Sequence, residues 1–233
     1  MDSIQNYALV IFDCDGVLVD SELIANKILA QALTNEGYHC TLQESVIKFV
    51  GLDLKTIQLQ VEQELGTQLS TSFNDRLRIE TTRAFHKKLE PIVGIKTALA
   101  EIQIPKCVAS SGTQEKIHLC LNLTGLSDYF PYTKIFSSQE VSKGKPAPDL
   151  FLHAAEKMHA HPSDCVVIED SVPGVIAAQA AGMSAFGFAG GNHVSSQHPA
   201  DLARVGAIVF DRMAMLPSHL KYIDPKRMKG SFL

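Results

Sequence analysis

The stretch Ala8-Leu9-Val10-Ile11-Phe12-Asp13-Cys14-Asp15-Gly16-Val17-Leu18-Val19-Asp20 decides how the rest of the chain is read. Its unbroken apolar run, rich in Val, Ile and Phe, predicts a strand buried on both faces, as in a parallel sheet covered by helices on each side. The run stops at a carboxylate. Side chains two apart on an extended chain share a face, so Asp13 and Asp15 are expected to look together into the space beyond the strand's carboxyl end. Gly16 lets the backbone turn sharply behind them. Two acids held this close repel, and a hard, oxygen-seeking cation such as Mg²⁺ relieves the repulsion. An isolated Asp-x-Asp-Gly is also how an ordinary strand ends in a polar turn. The remaining sequence decides between the two.

After this strand the pattern becomes helical. Leu23, Ile24, Ile28, Leu29 and Leu33 recur at helical spacing and stop at Gly37; Leu42 to Phe49 is closed by Gly51; Leu54 to Leu65 precedes Gly66; Ser72 to Lys88 follows. Pro91 and Gly94 mark the return to another pattern. Residues 19–87 are therefore read as a helical insertion into a core made of residues 1–18 and 88–233.

Beyond it strands and helices alternate. Ile95 to Ile102 reads as a helix, Lys106 to Ala109 as a short buried strand, Gln114 to Leu123 as a helix and Lys134 to Phe136 as a weak strand. Pro146 to His159 then reads as a helix, Cys165 to Ile168 as a strand and Pro173 to Ala181 as an Ala-rich helix, with last strands at Ala185 to Phe188 and Ala207 to Phe210. This is an α/β chain with a parallel, Rossmann-like sheet, a class in which ligands bind at the carboxyl ends of strands.

Polar groups stand at four such ends: Asp13 with Asp15, Ser110, Lys145, and Glu169 with Asp170. Each has a plain explanation alone. Ser110 and Ser111 could cap the next helix, and Glu169 and Asp170 could be first-turn acids favoured by the helix dipole. Lys145 is harder to dismiss, because the amino end of a helix is already positive; an anion placed there removes the conflict. Together the set matches phosphoryl transfer, whose transition state spreads negative charge over three oxygens and asks the protein for positioning and positive charge. Asp13 is the candidate nucleophile, forming an aspartyl-phosphate. Asp15 is the candidate acid for the leaving alcohol and base for water, provided its surroundings keep it protonated at the start. Lys145 and Ser110 would hold the phosphoryl oxygens, with Gly16 and Ser111 as adjoining substrate-binding positions. Mg²⁺ would lie between Asp13, the Asp15 carbonyl and Asp170, with Glu169 in support.

Composition narrows the partners. The chain has 233 residues, is 45% hydrophobic and 20% charged, and carries a formal net charge of -4, so no general affinity for nucleic acid or an anionic membrane surface is expected. No apolar run is long enough to span a membrane and Met1 to Tyr7 carries no targeting signal, so the expectation is a cytoplasmic monomer acting on a small phosphate ester. Cys14, Cys40, Cys107, Cys120 and Cys165 are odd in number and scattered, which reads as free thiols, mostly buried. His159, His161, His193 and His198 read as solvated or capping residues.

These residues resemble the haloacid dehalogenase superfamily of phosphatases and phosphomutases. The resemblance rests on Phe12-Asp13-Cys14-Asp15-Gly16-Val17-Leu18-Val19-Asp20-Ser21-Glu22, Val108-Ala109-Ser110-Ser111-Gly112, Lys143-Gly144-Lys145-Pro146-Ala147-Pro148-Asp149 and Val167-Ile168-Glu169-Asp170-Ser171-Val172-Pro173-Gly174, in the family's order. It implies a Rossmann-like core with a helical cap at residues 19–87, and it is closest to the β-phosphoglucomutase-like branch with its sugar-phosphate and sugar-acid-phosphate phosphatases. Mutases of that branch carry a histidine and an arginine where this chain has Ala25 and Leu54, so hydrolysis is expected and a mutase is the alternative, with Lys55 as a partial substitute for the arginine. Gly51 and Lys55 would lie where the cap closes over the substrate. The presence of Asp15 argues against dehalogenation. A phosphoacceptor switch domain groups similar residues but is about half this length and lacks the insertion.

Overall fold

The computed structural model describes residues 7–221. Its sheet has six strands, β1 (Leu9–Phe12), β2 (Lys106–Ser110), β3 (Ile135–Ser137), β4 (Cys165–Glu169), β5 (Ser184–Phe188) and β6 (Ile208–Phe210), in the order β3-β2-β1-β4-β5-β6. Every pairing is parallel. This is the doubly wound α/β fold that the alternating pattern predicts, with the strand order reversing at β1. Residues of β1 alternate between two cores. Val10 and Phe12 join one apolar cluster and Leu9 and Ile11 the other, so the strand is buried on both sides.

Between β1 and the rest of the sheet stand four helices, α1 (Glu22–Asn35), α2 (Leu42–Phe49), α3 (Leu54–Leu65) and α4 (Phe73–Lys88). Local chemistry bounds them. Thr41 and Glu44 form a capping box at the start of α2, Asp53 caps α3 through the Thr56 N–H, and Gly66 ends α3 in the left-handed conformation. Leu29, Leu33, Phe49, Ile57, Val61 and Phe73 give these helices a core of their own. Phe85, on α4, packs instead into the core beneath the sheet. The two chain passages joining insertion and sheet lie side by side, with Val19 bridged to Pro91.

The remaining helices are α5 (Ile95–Glu101), α6 (Gln114–Thr124), α7 (Asp149–Lys157), α8 (Val172–Ala180), α9 (His198–Arg204) and α10 (Leu216–Lys221). The expected helix from Pro146 begins later, at Asp149, because Ala147 precedes Pro148 and a residue before proline is driven out of the α region. α9 and α10 were not anticipated; at 7 and 6 residues they are too short to show a period. Cys14, Cys107, Cys120 and Cys165 are buried, Cys40 is half-buried, and all are free thiols, as expected.

Candidate active site

Register places the acids. Phe12 is level with Val108 on β2 and Ile168 on β4, so Asp13 leaves the sheet between the ends of those strands, its N–H donating to the Ile168 carbonyl at 3.0 Å. Lys145 reaches the same point from the loop before α7. Its Nζ lies 2.8 Å from Asp13 Oδ1 and 2.6 Å from Glu169 Oε1, and the side chain is 1% exposed. Such a buried ammonium persists only when paired. Burial alone would discharge it, but Asp13 and Glu169 outweigh that and keep it protonated. The conflict between Lys145 and a helix amino end is thus resolved by two carboxylates. Burial, reinforced by the charges of Glu169 and Asp15, pushes the Asp13 carboxyl up to about 7 in spite of Lys145.

Glu169 is fully engaged by the protein. One oxygen accepts from Lys145 and the other from the Ser171 N–H and hydroxyl, both at 2.8 Å. The start of α8 comes so close that a Cβ at Gly174 would collide with this carboxylate. Glu169, expected in support of a metal, also anchors Lys145.

Asp15 shows a larger departure. Lys116 Nζ, on the first turn of α6, is 2.8 Å from Asp15 Oδ2, and the Ser21 hydroxyl donates to Oδ1 at 2.5 Å. Burial pushes the Asp15 carboxyl upward, but the ion pair and hydrogen bonds outweigh it and hold the group below the usual range. The protonated start anticipated for Asp15 is therefore not its resting condition.

Asp13, Glu169 and Asp170 each present a carboxylate oxygen within 4.8 Å of the others. Three buried acids against one buried lysine leave a negative excess that a divalent cation cancels, and the all-oxygen donor set suits Mg²⁺. Burial, then the charges of Glu169 and Asp13, pushes the Asp170 carboxyl upward. Gly16, with φ of 71°, makes this approach possible, since a Cβ there would strike the Asp170 carboxylate.

Over the site opens a cleft of about 810 Å³ between the sheet edge and the inserted helices, reached by Asp13, Asp15, Ser110 and Lys55. Ser111 also borders it, and its hydroxyl donates to the Gly51 carbonyl at 3.0 Å, so this side chain ties core to insertion at the wall of the cleft. Gly51 has φ of 86° and leaves no room for a Cβ beside Ser171. Ala25 and Leu54 line the cleft as well.

Several residues were not anticipated. Glu22 is 8% exposed, borders the cleft and accepts from Asn26 Nδ2 at 2.8 Å. Burial, with Asp170 and Asp15 nearby, pushes its carboxyl up to about 8. Lys116 carried a readable signal, since it is a cation in the first turn of a helix, the same anomaly that singled out Lys145. Of the four histidines, His159 is exposed and His161 caps a short turn through the Ser163 N–H. His193 is not solvated, and His198 is half-buried. His193 is buried with Nε2 3.0 Å from Asp170 Oδ2, and His198 Nε2 is 2.6 Å from the Asp170 carbonyl, because the segment after β5 folds back over the end of β4.

A capped α/β hydrolase is the class that this fold and acid-lysine cluster define. Residues 10–188 match the family model of haloacid dehalogenase-like hydrolases, and the chain belongs to that family. It is 34% identical over 185 residues to 6-phosphogluconate phosphatase of Escherichia coli, spanning 79% of this chain and 83% of that protein. Among solved structures it resembles a conserved haloacid dehalogenase-like protein of unknown function from Agrobacterium tumefaciens, with TM-score 0.78 and 38% identity over 92% of this chain and 98% of that one. It also resembles a putative β-phosphoglucomutase from Thermotoga maritima, with TM-score 0.67 and 26% identity over 91% and 98% of the two chains. Phosphoric monoester hydrolysis, expected from the sequence, agrees with the family and with the first of these relatives. Family membership displaces the phosphoacceptor switch, and among the described residues no helix is long and apolar enough to cross a membrane.

Proposed function

We propose that the protein is a Mg²⁺-dependent phosphatase that hydrolyses a small phosphorylated metabolite, a sugar phosphate or sugar-acid phosphate, through an aspartyl-phosphate on Asp13. One observation carries the reading: Asp13 stands at the carboxyl end of β1, salt-bridged to a buried lysine, on the floor of the cleft beneath the inserted helices. Mg²⁺ would be held by Asp13 and Asp170, with the Asp15 carbonyl as a further oxygen, and when bound it supplies positive charge against the phosphoryl group.

An Asp13 oxygen attacks phosphorus; the ester P–O bond breaks, and its electron pair leaves with the alcohol oxygen, which takes a proton from Asp15. Lys145 balances charge on Asp13 and the phosphoryl oxygens, and Ser110 donates a hydrogen bond to them. Asp15 is ionised before substrate arrives, so it takes up its proton on binding, when the phosphate competes for Lys116 and adds negative charge beside the carboxylate. Water then attacks phosphorus, gives its proton to Asp15 and frees Asp13. The inserted helices act as a cap, with Gly51 and Lys55 facing the leaving group.

Hydrolysis is favoured over phosphoryl return to a second sugar position because Ala25 and Leu54, where mutases carry cationic groups, offer the cleft no charge. The test is a panel of sugar phosphates and sugar-acid phosphates, assayed with Mg²⁺ and with chelator. Mg²⁺-dependent phosphate release supports the reading. Isomerisation of a hexose phosphate in the presence of its bisphosphate, without phosphate release, would favour the mutase.

A further inference from the structure

We propose that His193 and His198, on the segment following β5, are positioning residues that clamp the metal-binding Asp170, His198 through its backbone carbonyl and His193 through the carboxylate oxygen turned away from the cation. The inference rests on the reading of Asp170 as a Mg²⁺ ligand.

The His198 half of the clamp is already made. A carbonyl only accepts, so the 2.6 Å approach of His198 Nε2 puts the ring proton on that nitrogen. The His193 half is poised. Its side chain is 1% exposed, and among the described residues neither ring nitrogen has a hydrogen-bond partner. The oxygen facing it, Asp170 Oδ2, is likewise buried and without a hydrogen-bond partner among the described residues, although the two atoms are only 3.0 Å apart. Distance is satisfied and alignment is not. Unpaired buried polar atoms are costly, so such a pair is retained where another state joins them.

A turn of the carboxylate about its Cβ–Cγ bond is that state. With the carboxylate held at a cation shared with Asp13, such a turn would let the His193 Nε2–H donate to Oδ2, already 3.0 Å away. The ring cannot retreat, because it is wedged between the Gly16 and Gly191 backbones, at both of which a Cβ would press on His193 Cε1. Asn192 next to it is tied to the Asp20 carboxylate. Partners behind metal ligands work in this way, fixing the ligand's orientation and strengthening its hold.

The experiment is a calorimetric Mg²⁺ titration of the full chain, without substrate, for the wild-type protein, His193→Ala and His193→Gln, alongside ¹⁵N-histidine NMR of the wild type. The clamp predicts a loss of about 10–100-fold in Mg²⁺ affinity for His193→Ala, with part of it recovered by His193→Gln, whose amide restores a donor. It also predicts that a slowly exchanging imidazole N–H signal appears in the wild type when Mg²⁺ is added. Melting in chelator establishes that the variants are folded; if they are not, the wild-type NMR signal decides alone. Wild-type binding with affinity unchanged in His193→Ala, or with no new N–H signal, overturns the clamp and leaves the cation site standing. No Mg²⁺ uptake by the wild type overturns both.

Discussion

Lys116 and Asp15 form an ion pair of 2.8 Å across 101 residues of sequence, and this pair sets the charge of the group expected to move protons. Lys116 also lies over the ring of Phe85, 5.9 Å from its centroid, so the same cation touches core and insertion. Its ammonium is kept protonated because the Asp15 charge outweighs the effect of burial.

Replacing Lys116 by Met removes the partner that lowers Asp15. The Asp15 carboxyl is then expected to titrate about 1–3 units higher, read by carboxyl ¹³C NMR of the substrate-free protein. Since the base in the water step must be ionised, dephosphorylation in the variant should fall at acidic pH and recover as pH rises. An unchanged Asp15 titration would detach Lys116 from this role.

Lys145→Met leaves Asp13 and Glu169 buried without their cation. Breaking such a pair from one side costs about 3–5 kcal/mol, which for a domain of this size lowers Tm by on the order of 10 °C. Lys145→Met with Glu169→Gln should regain much of that loss while remaining inactive. A melting comparison with a phosphatase assay checks both halves.

Much of this was legible before any coordinates. The run ending at Asp13 announced a strand buried on both faces; register with β4 then put Asp13 beside Glu169 and Asp170, and Lys145 joins them from the loop before α7. Lys145 was conspicuous because a cation at a helix start is electrostatically misplaced. Lys116 breaks the same rule but sits in a helix whose cap, Thr113, looks ordinary, and its partner is remote in sequence. His193 and His198 follow a polar Gly-rich loop, where composition signals solvent; only the folding of that loop onto the end of β4 buries His193 and half-buries His198. Ser111 adds a tie that the motif did not announce, its hydroxyl donating to the Gly51 carbonyl on the insertion.

Glu22 offers a pH test of the electrostatics. Its carboxyl is raised by burial from 4.5 to about 8, so between those values the folded state holds a proton that the unfolded state has released. Stability from this group is present below pH of about 4.5 and is lost as pH rises to about 8. Without metal, Glu22→Gln should therefore gain Tm relative to wild type at pH above 8, with a smaller difference at pH below 4.5, as followed by thermal melts in chelator.

Asp13→Asn should lower turnover by more than about 10³-fold while leaving the fold intact, because an amide cannot serve as the attacking oxygen. Circular dichroism and the phosphate-release assay together check this outcome.

The most direct measurement is acid quenching during turnover of an aryl phosphate, followed by mass spectrometry of the peptides. The account predicts one phosphoryl group on the peptide bearing Asp13, labile to hydroxylamine and absent from Asp13→Asn. Phosphate on another residue, or undiminished turnover by Asp13→Asn, would contradict it.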